Sequence, residues 1–97
     1  MTSKKYTILI HYSEIALKKN NRPFFENIFI RNIKLHLRGL EYSSVSLSAA
    51  RVFVNGINNK KWDKYRNRLK NVMGLKNAIL MIQTKSELEE IKSASFQ

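Results

Sequence analysis

Ninety-seven residues with 43% hydrophobic content describe one small globular domain. With no cysteine among them, a disulfide framework, a thiolate zinc site and a persulfide carrier are all excluded. A formal charge of +11 favours polyanionic partners through counterion release, although a merely soluble basic surface would give the same total. Three of the seven acids, Glu87, Glu89 and Glu90, crowd near the C-terminal end, so the residues before them are more basic still.

In chain order the pattern reads β-α-β-β-α-β. Tyr6–Tyr12 surrounds a continuous apolar run, Ile8-Leu9-Ile10, and reads as a central strand. That run is far too short for a membrane span, and too short for a signal peptide despite Lys4 and Lys5 before it. No membrane partner is expected, and a cytoplasmic location is the simplest inference. Pro23 suits the first turn of a helix and pushes Arg22 towards an extended backbone, so a helix should begin at Arg22–Pro23. Phe25, Phe29, Ile33 and Leu37 recur every four residues as a face packed on a sheet, flanked by Ile28 and Ile30, and Gly39 ends the helix. Tyr42–Leu47 alternates as an exposed strand, Ala49-Ala50 falls in a hairpin connection, and Arg51–Asn55 forms the partner strand. Asn55-Gly56 and Asn58-Asn59 mark a turn. A second helix is expected from Lys60 to Val72, with Trp62, Tyr65, Leu69 and Val72 on one stripe and Gly74 as its stop. Ala78–Ile82 is the last strand, and Ser86-Glu-Leu-Glu opens a further helix with a start like a capping box. No internal repeat or long linker interrupts the order.

Two helices on one face of a four-stranded antiparallel sheet, in the order βαββαβ, define an α+β domain of the ferredoxin-like class. The expected division is a ferredoxin-like domain over 1–85 and a final segment, 86–97.

Between the first strand and the first helix lies Ser13-Glu-Ile-Ala-Leu-Lys-Lys-Asn-Asn-Arg-Pro-Phe-Phe25. It gathers Lys18, Lys19 and Arg22 with two asparagines at a helix N-terminus, where free N–H groups and the dipole favour an anion. Three cations within five residues oppose stability, which argues for functional use over mere solvation. This run resembles the N-terminal ferredoxin-like domain of the ThiI family, the tRNA 4-thiouridine synthases, where the segment reads Gly-Glu-Ile-Ala-Leu-Lys-Gly-Lys-Asn-Arg with Phe a few residues on. Glu14, Ile15, Ala16, Leu17, Lys18, Asn21, Arg22 and Phe25 match position for position, while Ser13, Lys19 and Asn20 depart. Asn32-Ile33 and Val72-Met-Gly-Leu75 also look like family positions, and Ser86–Ile91 resembles the first helix of the THUMP domain that follows in those enzymes. Residues 86–97 are therefore expected to be the start of a THUMP-like helix or a C-terminal tail. A tail of that kind would dock on a second chain, pair with a copy as a homodimer, or fray.

The resemblance implies the ferredoxin-like fold and a tRNA-binding module that helps place the acceptor region before a separate catalytic domain. The family's nucleotide-binding PP-loop, Ser-Gly-Gly-x-Asp-Ser, has no counterpart here, since Gly39, Gly56 and Gly74 are widely scattered. By itself the chain is expected to be no enzyme, to need no cofactor, and to work with tRNA and a THUMP/PP-loop protein or domain. Lys18, Lys19 and Arg22 are the expected RNA-binding residues, with Arg31, Lys34 and Arg38 on the first helix and Arg51 at a strand start extending the track. Lys60, Lys61, Lys64, Arg66, Arg68 and Lys70 form a second basic region, which a helix burying Trp62, Tyr65 and Leu69 would expose in any case.

Blander roles stand beside these. Glu14 caps the loop or pairs with Lys18, Asn21 caps a helix, and Phe25 packs. His11 and His36 lie far apart in sequence without acids or thiols nearby, so no metal site is expected. An acylphosphatase-like reading would use Arg22 and Asn55, but the Gly-rich loop leading to Phe-Arg is missing. A protein-interaction subunit completing a THUMP-containing enzyme and a general RNA-binding protein remain the other two functional classes.

Overall fold

The computed structural model describes residues 5–12, 22–48, 51–72, 74–83 and 88–95. The elements are β1 (Lys5–Tyr12), α1 (Arg22–His36), β2 (Ser44–Ser48), β3 (Arg51–Asn55), a 3-10 turn (Asn59–Lys61), α2 (Trp62–Leu69), β4 (Leu75–Gln83) and β5 (Leu88–Ser95). Every strand pairing is antiparallel, and the sheet order is β2-β3-β1-β4-β5.

β1 is central because both of its edges are paired, one with β3 and the other with β4. Ile8, Ile10 and Tyr12 enter the core between sheet and helices with Phe29, Ile33 and Leu37 of α1 and Trp62, Tyr65 and Leu69 of α2. Leu9 points to the opposite face, as strand alternation requires, and is buried there between Phe53 and Ile79, its register partners.

α1 matches its expected start, and its core face is the Phe25-Phe29-Ile33-Leu37 stripe. Phe25 stacks on Phe29 with ring centres 5.4 Å apart, and the Tyr12 ring meets both edge-on at 5.5 and 5.3 Å. Gly39 follows the helix with φ of 90°, the left-handed conformation expected of it. The second helix is shorter than its stripe suggested. Asn58 accepts the Lys60 N–H through its side chain, which starts the 3-10 turn, and α2 proper occupies only Trp62–Leu69.

The sheet has five strands, not the expected four. Leu88–Ser95, read from its sequence as the opening of a helix, is a strand paired along β4. Leu80 faces Lys92 and Met81 faces Glu90, so Ile91 is the extra residue of a bulge, and its side chain is 45% exposed. Ala94, opposite buried Ala78, packs against the core. The β4 edge offers unpaired backbone groups along its whole length, and satisfying that ladder outweighs a local capping signal. For the same reason β4 runs longer than the expected Ala78–Ile82, pairing on both edges from Asn77 to Gln83.

Candidate nucleic-acid interface

The basic residues fall on different surfaces. Successive residues of a helix turn by 100°, so with Phe29 and Ile33 facing the sheet, Arg31 and Lys34 come to the opposite side, and Arg38 follows two residues beyond the helix end. All three are exposed. Arg51 does not join them. Val52 and Val54 are fully buried on the helix side, so Arg51 lies on the other face of the sheet, in register with His11 of β1 and Ser48 of β2. Glu14, Lys18, Lys19 and Asn21 lie outside the described residues, as does the Arg22 side chain, while the Arg22 backbone opens α1.

On α2 and its leading turn, Lys60, Lys61, Lys64, Arg66, Arg68 and Lys70 are all exposed. They are not equivalent. Arg66 pairs with Asp63 at 3.4 Å, one helical turn away, an exposed bridge of small energetic weight. Arg68 reaches across to α1, donating from Nη1 to the carbonyl oxygens of His36 at 3.2 Å and Arg38 at 3.1 Å. Those carbonyls belong to the helix end, where the backbone lacks donors and the dipole favours a cation. Arg68 is thus a structural cap, a role invisible in the sequence because its partners lie thirty residues away.

Several other polar groups are similarly occupied. His11 Nδ1 and Asn77 Oδ1 are 2.8 Å apart across the strand pair, and His36 Nδ1 lies 2.8 Å from the Asn32 carbonyl. Asn55 accepts from the Thr7 hydroxyl and donates to Ser44 Oγ, both at 3.2 Å, which fixes its amide within the sheet and away from any water-orienting role. Trp62 and Tyr65 are buried rather than free to stack on a base. The Tyr65 hydroxyl donates to the Glu41 carbonyl and accepts the Asn58 N–H at 3.1 Å. Burial pushes its pKa above the usual tyrosine value, the Asn58 hydrogen bond opposing and the Glu41 charge adding to the rise. Among the described residues no three His, Cys, Asp or Glu side chains gather as a metal site would need. No described helix is long and apolar enough to cross a membrane.

Sequence reasoning missed the apolar side chains that share the outer face of α1. Phe24 is 67% exposed, Leu35 54% and Ile28 38%. A signal existed in the Phe24-Phe25 pair, because two adjacent helical residues cannot both face the core.

A two-layer α+β domain with an antiparallel sheet, two helices on one side and exposed cations on both helices belongs to the ferredoxin-like class. More specifically, the ThiI ferredoxin-like domain matches residues 7–78, and the chain belongs to that family. Among its relatives, a probable tRNA sulfurtransferase of Caldanaerobacter subterraneus subsp. tengcongensis is 36% identical over 91 residues, covering 94% of this chain and 23% of the relative. A probable tRNA sulfurtransferase of Moorella thermoacetica is 34% identical over 89 residues, covering 92% of this chain and 22% of the relative. That of Agathobacter rectalis is 36% identical over 70 residues, covering 71% and 18%. The chain therefore spans less than a quarter of the length of these curated relatives, corresponding to their ferredoxin-like part. No solved structure matches it significantly.

Proposed function

We propose that this chain is a non-catalytic tRNA-binding module of the 4-thiouridine synthase type, acting in the cytoplasm. It helps place the acceptor region of tRNA for uridine thiolation by a THUMP/PP-loop domain or partner protein. The observation that carries the reading is the family match over residues 7–78, joined to relatives named as tRNA sulfurtransferases. Physical chemistry supports it. The exposed cations Arg31 and Lys34 lie on one side of α1 and Arg38 just beyond its end, with Lys60, Lys61, Lys64 and Lys70 exposed around α2. Recognition through phosphates and 2′-hydroxyls asks for such surfaces and for little else. With no cysteine in the chain, sulfur transfer through a persulfide on its own side chains is not available.

Titrating labelled tRNA with the chain at several salt concentrations tests the reading. If two or three phosphates are neutralised, the log–log slope of affinity against salt should be about −2 to −3. Adding a THUMP-bearing partner should tighten binding, because linking two weak sites raises avidity without new RNA contacts. Salt-independent affinity, or no binding to tRNA at all, would overturn the proposal.

A further inference from the structure

The two edges of the sheet are built differently. β5 carries Glu89, Glu90 and Lys92 and a bulge at Ile91, the charges and irregularity that keep an edge from pairing further. β2 has none of these. From Tyr42 to Ala50 the sequence holds no charged residue and no proline, although the chain has 18 Lys/Arg and seven Asp/Glu. Among the described residues β2 pairs only with β3, so a row of its backbone N–H and C=O groups faces outward without a strand partner.

This open edge is firmly held on its inner side. The Ser43 N–H donates to the Asn55 carbonyl at 2.7 Å, the Ser43 hydroxyl donates to the same oxygen at 3.2 Å, and Asn55 Nδ2 donates to Ser44 Oγ at 3.2 Å. Val45, in register with buried Val54, packs against the core. A strand already ordered in this way loses little conformational freedom when another joins its outer side.

The side-chain pattern selects the partner. Ser44, Ser46 and Ser48 share the face of the sheet away from the helices, while Val45 and Leu47 share the other, with Leu47 39% exposed. Laid antiparallel against itself about Ser46, the strand matches at every position. Ser44 meets Ser48, Val45 meets Leu47, and Ser46 meets its own copy. Pairing about a two-fold axis requires this self-complementarity. A charged strand from another protein would find no countercharge on β2. The +11 charge of the chain opposes association of two copies, but no charged side chain of β2 lies in the seam itself.

We propose that β2 is a self-association edge, along which two copies of the chain pair antiparallel over Ser44–Ser48 about a two-fold axis at Ser46, joining their sheets into one. The inference goes beyond tRNA binding and does not depend on it. A seam of five residues from each copy is smaller than a standard interface of roughly 1,200–2,000 Å², so a Kd on the order of 100 µM is expected.

Sedimentation of the full chain without RNA, at concentrations up to about 1 mM, should show a monomer–dimer equilibrium. The dimer should tighten as salt is raised, because salt screens the repulsion between two cationic copies, whereas tRNA binding weakens with salt. Hydrogen exchange should slow at the β2 amides, and not at those of β5, as the protein concentration rises. Ser46→Lys and Ser46→Glu, at an exposed position, should each weaken the dimer about fivefold by setting like charges opposite one another across the axis. An equimolar mixture of these two variants should associate more tightly than either alone. Ser93→Lys, on the same face at the β5 edge, should leave association as in wild type. A monomer at every concentration, a dimer whose β2 amides exchange as fast as the monomer's, or a mixture no tighter than its separate variants would each overturn the inference. So would loss of the dimer in Ser93→Lys, which would put the seam at β5.

Discussion

The Arg68 guanidinium sits 3.1 Å from the Arg38 carbonyl, so that a cation of α2 closes the C-terminal end of α1. The same Nη1 reaches the His36 carbonyl at 3.2 Å, and one side chain thereby serves two backbone acceptors, one at the last residue of α1 and one just beyond it. Arg68→Ala should destabilise the fold by about 1 kcal/mol, the scale of a cation at a helix C-terminus. Lys64→Ala, on the same helix but without such contacts, should be neutral within about 0.5 kcal/mol. Denaturant unfolding of both variants is the check; equal midpoints would show that the cap contributes nothing.

Tyr65 links stability to alkaline pH. Its folded pKa lies above the ordinary value, so above about pH 10 the unfolded chain loses the phenolic proton before the folded chain does. The folded state then binds more protons, and stability falls as pH rises. The contribution is fully present below the unfolded pKa and is lost as pH passes through the folded one. Tyr65→Phe should remove that alkaline dependence. It should also lower stability at neutral pH by about 1–3 kcal/mol, since the Glu41 carbonyl and the Asn58 N–H lose their shared partner. Thermal melts of both proteins from neutral to strongly alkaline pH, read as a difference, cancel the common titration of lysines.

Core and RNA contacts should separate under mutation. Phe29 is 1% exposed and lies against Phe25 and Tyr12, so Phe29→Ala should cost about 3–5 kcal/mol. Replacing Lys18, Lys19 and Arg22 together by Ala should leave the melting temperature unchanged and weaken tRNA binding. Unaltered tRNA affinity in the triple variant would move the grip to the outer face of α1 or to α2.

Gly56 is held with φ of 72°, and a Cβ there would fall 2.8 Å from Ser43 Cβ and 3.0 Å from Ser43 N. Gly39, at φ of 90°, would meet nothing within 4 Å. Gly39→Ala should therefore show backbone strain alone, about 1 kcal/mol, and Gly56→Ala strain plus a clash with the neighbouring backbone, roughly 2–3 kcal/mol. Equal losses in chemical denaturation would mean that the Ser43 segment moves aside at no cost.

Much of this architecture is legible in the sequence. The four-residue recurrence of Phe25, Phe29, Ile33 and Leu37 marked the buried side of α1, and Arg51–Asn55 has the bounds expected of it as β3. The run Ile8-Leu9-Ile10 read as a central strand, and all three side chains are buried. The motif from Glu14 to Phe25 pointed to the family that the match over residues 7–78 then showed. Of the expected RNA-binding residues, Lys18 and Lys19 lie outside the described residues, as do the motif residues Glu14 and Asn21, and Arg51 is separated from the cations of α1 by the sheet itself.

Periodicity along the chain determined which side chains share a face, since that depends only on helix and strand geometry. It could not say how the faces and edges would be covered. Leu88–Ser95 became β5 because β4 presents a ladder of backbone groups in need of partners, a demand made by a segment distant from its capping signal. Arg68 became a helix cap because folding brings the end of α1 within its reach, and Phe24 stayed in water because Phe25 had already taken the inward position. Local pattern fixes direction; only the packed chain decides which neighbour waits there, because each such contact joins residues that the sequence keeps far apart.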